Sequence, residues 1–232
     1  MRPAPSGRAH RVAFTGPVAF TGPVAFTALV AFTAPVASAG TVAFTGTRPR
    51  VYRIVGVSKR THARRGTARP VRLLGDPVLR TECDPVRTFD TALERLVDDM
   101  FVTMYEENGA GLAANQIGVG LRVFVYDCED DKGRRHVGHV VNPRLVSTGG
   151  ESLVAPEGCL SVPGLRFDTP RAAHAVVEGV DVKGRPVRVE GTGYFARCLQ
   201  HECGHLDGRV YIDVLSGDVR REAMRAIRDL RG

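Results

Sequence analysis

The stretch QHECGHLDG, residues 200–208, sets His201 and His205 four residues apart, with Glu202 directly after the first. On a helix these imidazoles share one face a turn apart, which is the spacing of the HExxH metal motif, and the carboxylate between them can act as general base. Two imidazoles do not complete a hydrolytic centre. Such a centre takes three protein ligands and keeps one position for water.

The third ligand is not supplied by the neighbouring sequence. A histidine three residues beyond Gly208 would mark one protease class, but Tyr211 stands there. A downstream carboxylate would mark another, and Glu222, the only glutamate after the motif, falls on the polar face of a predicted C-terminal helix. Cys198 lies one turn before His201, yet Cys198, His201 and His205 on a straight helix would spread over about 10 Å of axis. One tetrahedral ion with bonds near 2.0–2.3 Å cannot clasp that row, so the ligand comes from another segment. APEGCLSVPG, residues 155–164, offers Cys159 beside Gly158, equally readable as an inert buried thiol. GAGLAANQIGVG, residues 109–120, offers glycine-permitted close approach and the amide of Gln116, though alone it also suits a helix-to-strand loop.

Several elements must position these residues. Leu93, Leu96, Val97, Met100, Phe101 and Met104 recur at three- and four-residue steps and predict a helix over 91–107. Thr91 and Glu94 read as its capping box and Asn108-Gly109 as its exit. LRVFVYD (121–127) and GHVVNPRLV (138–146) have strand composition about a charged turn at 129–135, and Val alternation about Lys183-Gly184 predicts a hairpin. Phe195, Cys198, Leu199 and Leu206 suit a helix stopped by Gly208. Val219, Ala223, Met224, Ile227 and Leu230 suit a last helix capped by Ser216. Grouped strands with helices at the ends indicate an α+β domain of mostly antiparallel sheets.

The formal charge of +7 is unevenly placed. Residues 1–75 hold twelve Arg or Lys and no acid, whereas the rest is net acidic, so the basic balance does not indicate a nucleic-acid interface. Residues 1–67 read as a basic, low-complexity extension without a packed core, since VAFT recurs every six residues from Val12 with proline and threonine where a core needs bulk. Signal-peptide and transit-peptide readings of this segment are undercut by Pro17, Pro23 and Pro35. Five cysteines without a disulfide rhythm favour a reducing compartment, and no apolar run is long enough for a transmembrane helix.

Three ordered motifs, GxGLAAxQ at Gly109–Gln116, EGCLS at Glu157–Ser161 and HExxH at His201–His205, together resemble the peptide deformylase family from about Pro70 to the C-terminus. The resemblance, not the spacing, selects Cys159 as third ligand. It implies an α+β fold packed around a central HExxH helix in a catalytic domain over 68–232. It also implies a divalent ion, Fe2+ with Zn2+, Ni2+ or Co2+ as alternatives, and hydrolysis of the formyl group from N-formylmethionyl nascent chains. In that scheme Glu202 is the base, Gln116 and the Leu160 amide hold the oxyanion, and Glu157 orients a ligand imidazole. Gly109, Gly111, Tyr194, Arg197 and Cys198 line the methionine pocket. A cytoplasmic location, with the ribosome nearby and neither membrane nor direct nucleic-acid binding, is the matching expectation.

Two positions depart from the family pattern. Asn115 stands where proline is more usual, an expected neutral loop change. Gly204 replaces the aspartate of HExDH, an expected loss of stability, with Arg171 as the side chain deprived of a partner. Competing readings are another metal-dependent amidase or protease, an inactive relative, and a structural zinc knuckle built from Cys198, His201, Cys203 and His205.

Overall fold

The structure is a computed structural model that describes residues 65–229. The repeat segment and the end of the last predicted helix, including Leu230, lie outside the described residues.

Helix α1 spans Thr91–Glu106, and all six apolar positions of the predicted stripe are buried. Each such side chain removed from water contributes roughly 1.5–3 kcal/mol. The cap differs from the expected box. Asp90, in extended conformation, accepts from the amides of Ala92 (2.9 Å) and Leu93 (3.1 Å), so Thr91 is already helical. At the exit Asn108 takes the left-handed conformation (φ 56°), and Gly109 N–H bonds back to Met104 O at 2.8 Å.

Five antiparallel strands follow in sheet order β1 to β5: β1 Gly111–Ala113, β2 Val123–Glu129, β3 Arg135–Cys159, β4 Val162–Val180 and β5 Pro186–Thr192. β3 is far longer than the predicted 138–146. Its first part pairs with β2 and its second with β4, with irregular register at Val141/Arg144, Leu145/Ser147, Gly149/Ser152 and Gly158/Cys159. Such shifts bend the strand, which lets one ladder serve both the core and the site. Between Arg144 and Val154 the side chains are mostly exposed, so no alternation marked this stretch.

Two hairpins repeat one turn chemistry. In Asp130–Arg134 and Asp181–Arg185 the leading aspartate accepts two backbone amides through Oδ1 and the arginine Nε through Oδ2. The common pattern Asp-x-Lys-Gly-Arg puts glycine where φ is positive, at Gly133 and Gly184.

Helix α2, Gly193–Leu206, lays Phe195, Ala196, Leu199 and Leu206 against Phe124, Tyr126, Val140, Ala175 and Val177 of the strands. Helix α3, Gly217–Asp229, buries Ala223 and Ile227 in a cluster with Val162, Tyr211 and Ile212 that also reaches Cys159. The α+β class with an antiparallel sheet is therefore as expected. No helix among the described residues is long and apolar enough to cross a membrane.

Candidate metal centre and active site

The end of β3 and the last turns of α2 bring three ligand atoms together. His205 Nε2 lies 3.1 Å from His201 Nε2 and 3.2 Å from Cys159 Sγ, and all three atoms fall within 4.8 Å of one another. Edges of about 3.4–3.6 Å are what tetrahedral coordination with bonds near 2.1–2.3 Å requires. Among the described residues this is the grouping of His, Cys, Asp and Glu fit to hold an ion, and it excludes Cys198 and Cys203. Both of those thiols are buried in the apolar core between α2 and the sheet, which removes the zinc-knuckle alternative.

Two of the three ligands are oriented from behind. Glu157 Oε1 lies 2.7 Å from His201 Nδ1, leaving Nε2 to face the centre. The Glu157 carboxylate also accepts from Arg171 (Nη2 2.6 Å, Nε 3.0 Å) and from Arg197 Nη1 at 2.8 Å. Burial pushes this carboxyl upward, but the hydrogen bonds from His201 and Arg171 outweigh it and hold Glu157 well below the ordinary carboxylate range. Cys159 Sγ accepts from Ser161 N–H (3.4 Å) and Gln116 Nε2 (3.5 Å). Burial alone would raise its pKa, yet the charge of His205 and hydrogen bonds from both imidazoles keep the thiol well below its usual range. A thiolate wanting positive charge, between two imidazoles aimed at one point, is a donor set that fits a divalent cation.

Glu202 is 3% exposed, and its Oε2 has no hydrogen-bond partner among the described residues. Burial raises its pKa to about 7, against the lowering effect of His201 and His205. Gly111 on β1 faces it so closely that a Cβ there would sit 2.9 Å from Cys198 Sγ and nearer still to Glu202 Oε1. Gln116 is pinned by its own turn: Oε1 accepts from Ala113 N–H at 2.9 Å, and Nε2 donates to Ser161 Oγ at 3.1 Å.

A cleft of about 730 Å³ opens over these groups. Gly109, Gly111, Gln116, Glu157, Cys159, Leu160, Tyr194, Arg197, Cys198, His201 and Glu202 all line it, whereas His205 is fully buried beneath. Tyr194 is half exposed at the rim. A hydrogen bond with Cys128, together with burial, pushes Cys198 well above the usual thiol range, so it presents a neutral, weakly polar wall. Arg197 lines the cleft but commits its guanidinium elsewhere, to Glu157 and to the carbonyls of Thr169 and Leu153, each at 2.8 Å.

Two expectations about the departures change. Arg171 is not a widowed partner of position 204, because its guanidinium is bidentate on Glu157. A Cβ on Gly204 would meet nothing within 4 Å among the described residues. Asn115, taken as a neutral loop position, is fully buried and donates from Nδ2 to His205 O at 2.6 Å. Asn115, Ser161 and the pairing of Arg171 were missed. A polar residue flanked by apolar ones carries no period that reveals its partner.

The family model described as polypeptide deformylase matches residues 68–221. The chain belongs to the polypeptide deformylase family. Among deformylase relatives, peptide deformylase 2 of Streptomyces avermitilis is 63% identical over 161 residues, covering 69% of this chain and 87% of the relative. Peptide deformylase 2 of Streptomyces coelicolor is 59% identical over 162 residues, covering 70% and 90%. The crystal structure of a peptide deformylase from Legionella pneumophila superposes with a TM-score of 0.63 at 42% identity, covering 71% of this chain and 96% of that one.

Proposed function

We propose that this chain is a metal-dependent hydrolase that removes the formyl group from the N-terminal formylmethionine of nascent polypeptides. The observation that carries the reading is the convergence of Cys159 Sγ, His201 Nε2 and His205 Nε2 within 4.8 Å, with the Glu202 carboxylate buried one residue along the same helix. Membership of the deformylase family supports it.

A divalent cation held by Cys159, His201 and His205 would supply a Lewis acid for the formyl oxygen and acidify a water. Glu202 takes the proton of the attacking water and delivers it to the departing amine. A pKa near 7 suits both halves of that exchange. Gln116 Nε2, turning one N–H from its long 3.5 Å contact with Cys159, and the Leu160 amide donate to the developing oxyanion, each worth about 3 kcal/mol. Gly109, Gly111, Tyr194 and Cys198 form the wall for the methionine side chain, and Arg197 stiffens that wall through Glu157.

The two-imidazole, one-thiolate set suits Fe2+ as the native ion, with Zn2+, Ni2+ or Co2+ able to replace it. Residues 68–232 form the catalytic domain, organised around the HExxH helix, and residues 1–67 are an extension outside it. The enzyme works in the cytoplasm beside the ribosome, where its substrates emerge.

The test is formate release from formyl-Met-Ala by the full chain, purified anaerobically and loaded with Fe2+. Glu202→Gln serves as control and is expected to lower kcat by roughly 10²–10⁴ while retaining the metal. If the metal-loaded wild type releases no formate, the reading is wrong.

A further inference from the structure

The 3-10 turn Ala114–Ile117 sits between the two elements that supply the ligands. Its consecutive residues Asn115 and Gln116 are both buried and point to opposite partners. Gln116 Nε2 reaches the sulfur of Cys159 at the end of β3, and Asn115 Nδ2 reaches the backbone carbonyl of His205 on α2. The last carbonyls of a helix lack intrahelical donors and must find others. Here Leu206 O is taken by Cys83 N–H and Arg122, Gly204 O by Arg209 N–H, and His205 O by Gly208 N–H at 3.1 Å and by Asn115 at 2.6 Å. The shortest of these bonds falls on the metal-ligating residue itself.

A second observation concerns the imidazole. Once Nε2 faces an ion, Nδ1 carries the hydrogen and needs an acceptor, which fixes tautomer and ring orientation. Glu157 fills that role for His201. Among the described residues, His205 Nδ1 is buried without a hydrogen-bond partner, and so is Asn115 Oδ1, on the residue already joined to His205. Donor and acceptor are complementary, and proline at position 115 would provide neither group.

We propose that Asn115 is a positioning residue of the metal centre: its side-chain amide clasps the His205 end of α2 and, with Gln116, locks the two ligand-bearing elements in register around the ion. The inference rests on the metal-site reading above but not on the identity of the substrate.

The experiment compares wild type with Asn115→Pro and Asn115→Ala, loaded with Co2+ as the probe. Three quantities are read: the rate at which a chelator strips the ion, the visible d–d and thiolate charge-transfer bands, and the melting temperature of the metal-free protein. Both variants are expected to lose Co2+ about tenfold faster or more, with altered bands. Wild-type stripping rates and spectra, whether or not the metal-free melting point falls, would overturn the proposal and leave Asn115 a packing residue. Faster loss in the variants of a protein whose wild type releases no formate would uphold it while rejecting the deformylase reading.

Discussion

Glu157 Oε1 stands 2.7 Å from Nδ1 of His201, and the same carboxylate neutralises Arg171 and Arg197, whose side chains are 11% and 8% exposed. One carboxylate therefore serves both the metal ligand and the strand-to-helix junction. In Glu157→Gln the shape persists but the charge is lost. Metal affinity should drop about 10–100-fold, because His201 loses the partner that makes it a better donor. Stability should fall by about 3–5 kcal/mol, because two buried guanidinium groups are left uncompensated. Chelator competition and urea unfolding measure the two effects separately. Wild-type metal affinity in this variant would show that Glu157 is purely structural.

Gly111 marks the tightest approach in the site. Its missing side chain leaves the room that Glu202 occupies, and Cys198 blocks any retreat sideways. Since Glu202 is itself enclosed, it cannot swing aside without leaving the centre. Gly111→Ala should cut kcat by about tenfold to a hundredfold, in line with misplacement of a reacting group by about 1 Å. Metal content, read by elemental analysis, should stay unchanged because the atoms nearest the new methyl belong to Glu202 and Cys198 rather than to a ligand. Undiminished kcat would mean that Glu202 is not the base in this geometry.

The helices were legible because each is amphipathic: the apolar steps from Leu93 to Met104 and from Phe195 to Leu206 give both the element and its buried face. The same helical spacing put His201 and His205 a turn apart on one face of α2. The third ligand was not legible that way, because nothing local links Cys159 to histidines more than forty residues later; only the family resemblance joined them. Nor was the full length of β3, whose exposed middle lacks alternation. Arg171 was assigned to the wrong partner for a related reason. Its acid lies across the β3–β4 ladder, fourteen residues earlier, and cross-strand register follows from bulges that a single sequence does not announce.

Gly204 interrupts a helix at a position with space for a side chain. It lies inside α2, its φ is not positive, and an added Cβ would contact nothing within 4 Å among the described residues. Glycine costs a helix interior about 1 kcal/mol relative to alanine through the freedom it gives the unfolded chain. Gly204→Ala should therefore raise the melting temperature by roughly 2–4 °C with kcat/KM preserved, as calorimetry and formate release would show. A melting point at or below that of wild type would mean that glycine is retained there for a contact or motion not explained by helix propensity.

The paired hairpin turns give a pH dependence whose sign can be worked out. Asp181 is nearly buried, and two backbone amides and Arg185 converge on its carboxylate. Burial acts to raise its pKa, but the hydrogen bonds from Arg185 and Lys183 outweigh it, so the folded-state value lies below the ordinary 3.8. A carboxyl depressed on folding stabilises the protein above its unfolded pKa and loses that contribution as pH falls through the folded pKa. Arg185 is largely exposed, so the two amide bonds, rather than the ion pair, carry the effect. Asp181→Asn should thus cost about 1 kcal/mol at neutral pH. The gap between variant and wild type should close progressively as the pH drops below 3.8, where the wild-type carboxyl takes up its proton. Denaturant titrations at neutral pH and through the acid range would test this. The turn at Asp130 shares the two amide contacts but is depressed first by its hydrogen bond with His136, so Asp130→Asn should show a pH trend of the same sign. A gap of constant size at every pH would assign the loss to amide geometry alone and refute the role of the carboxylate charge.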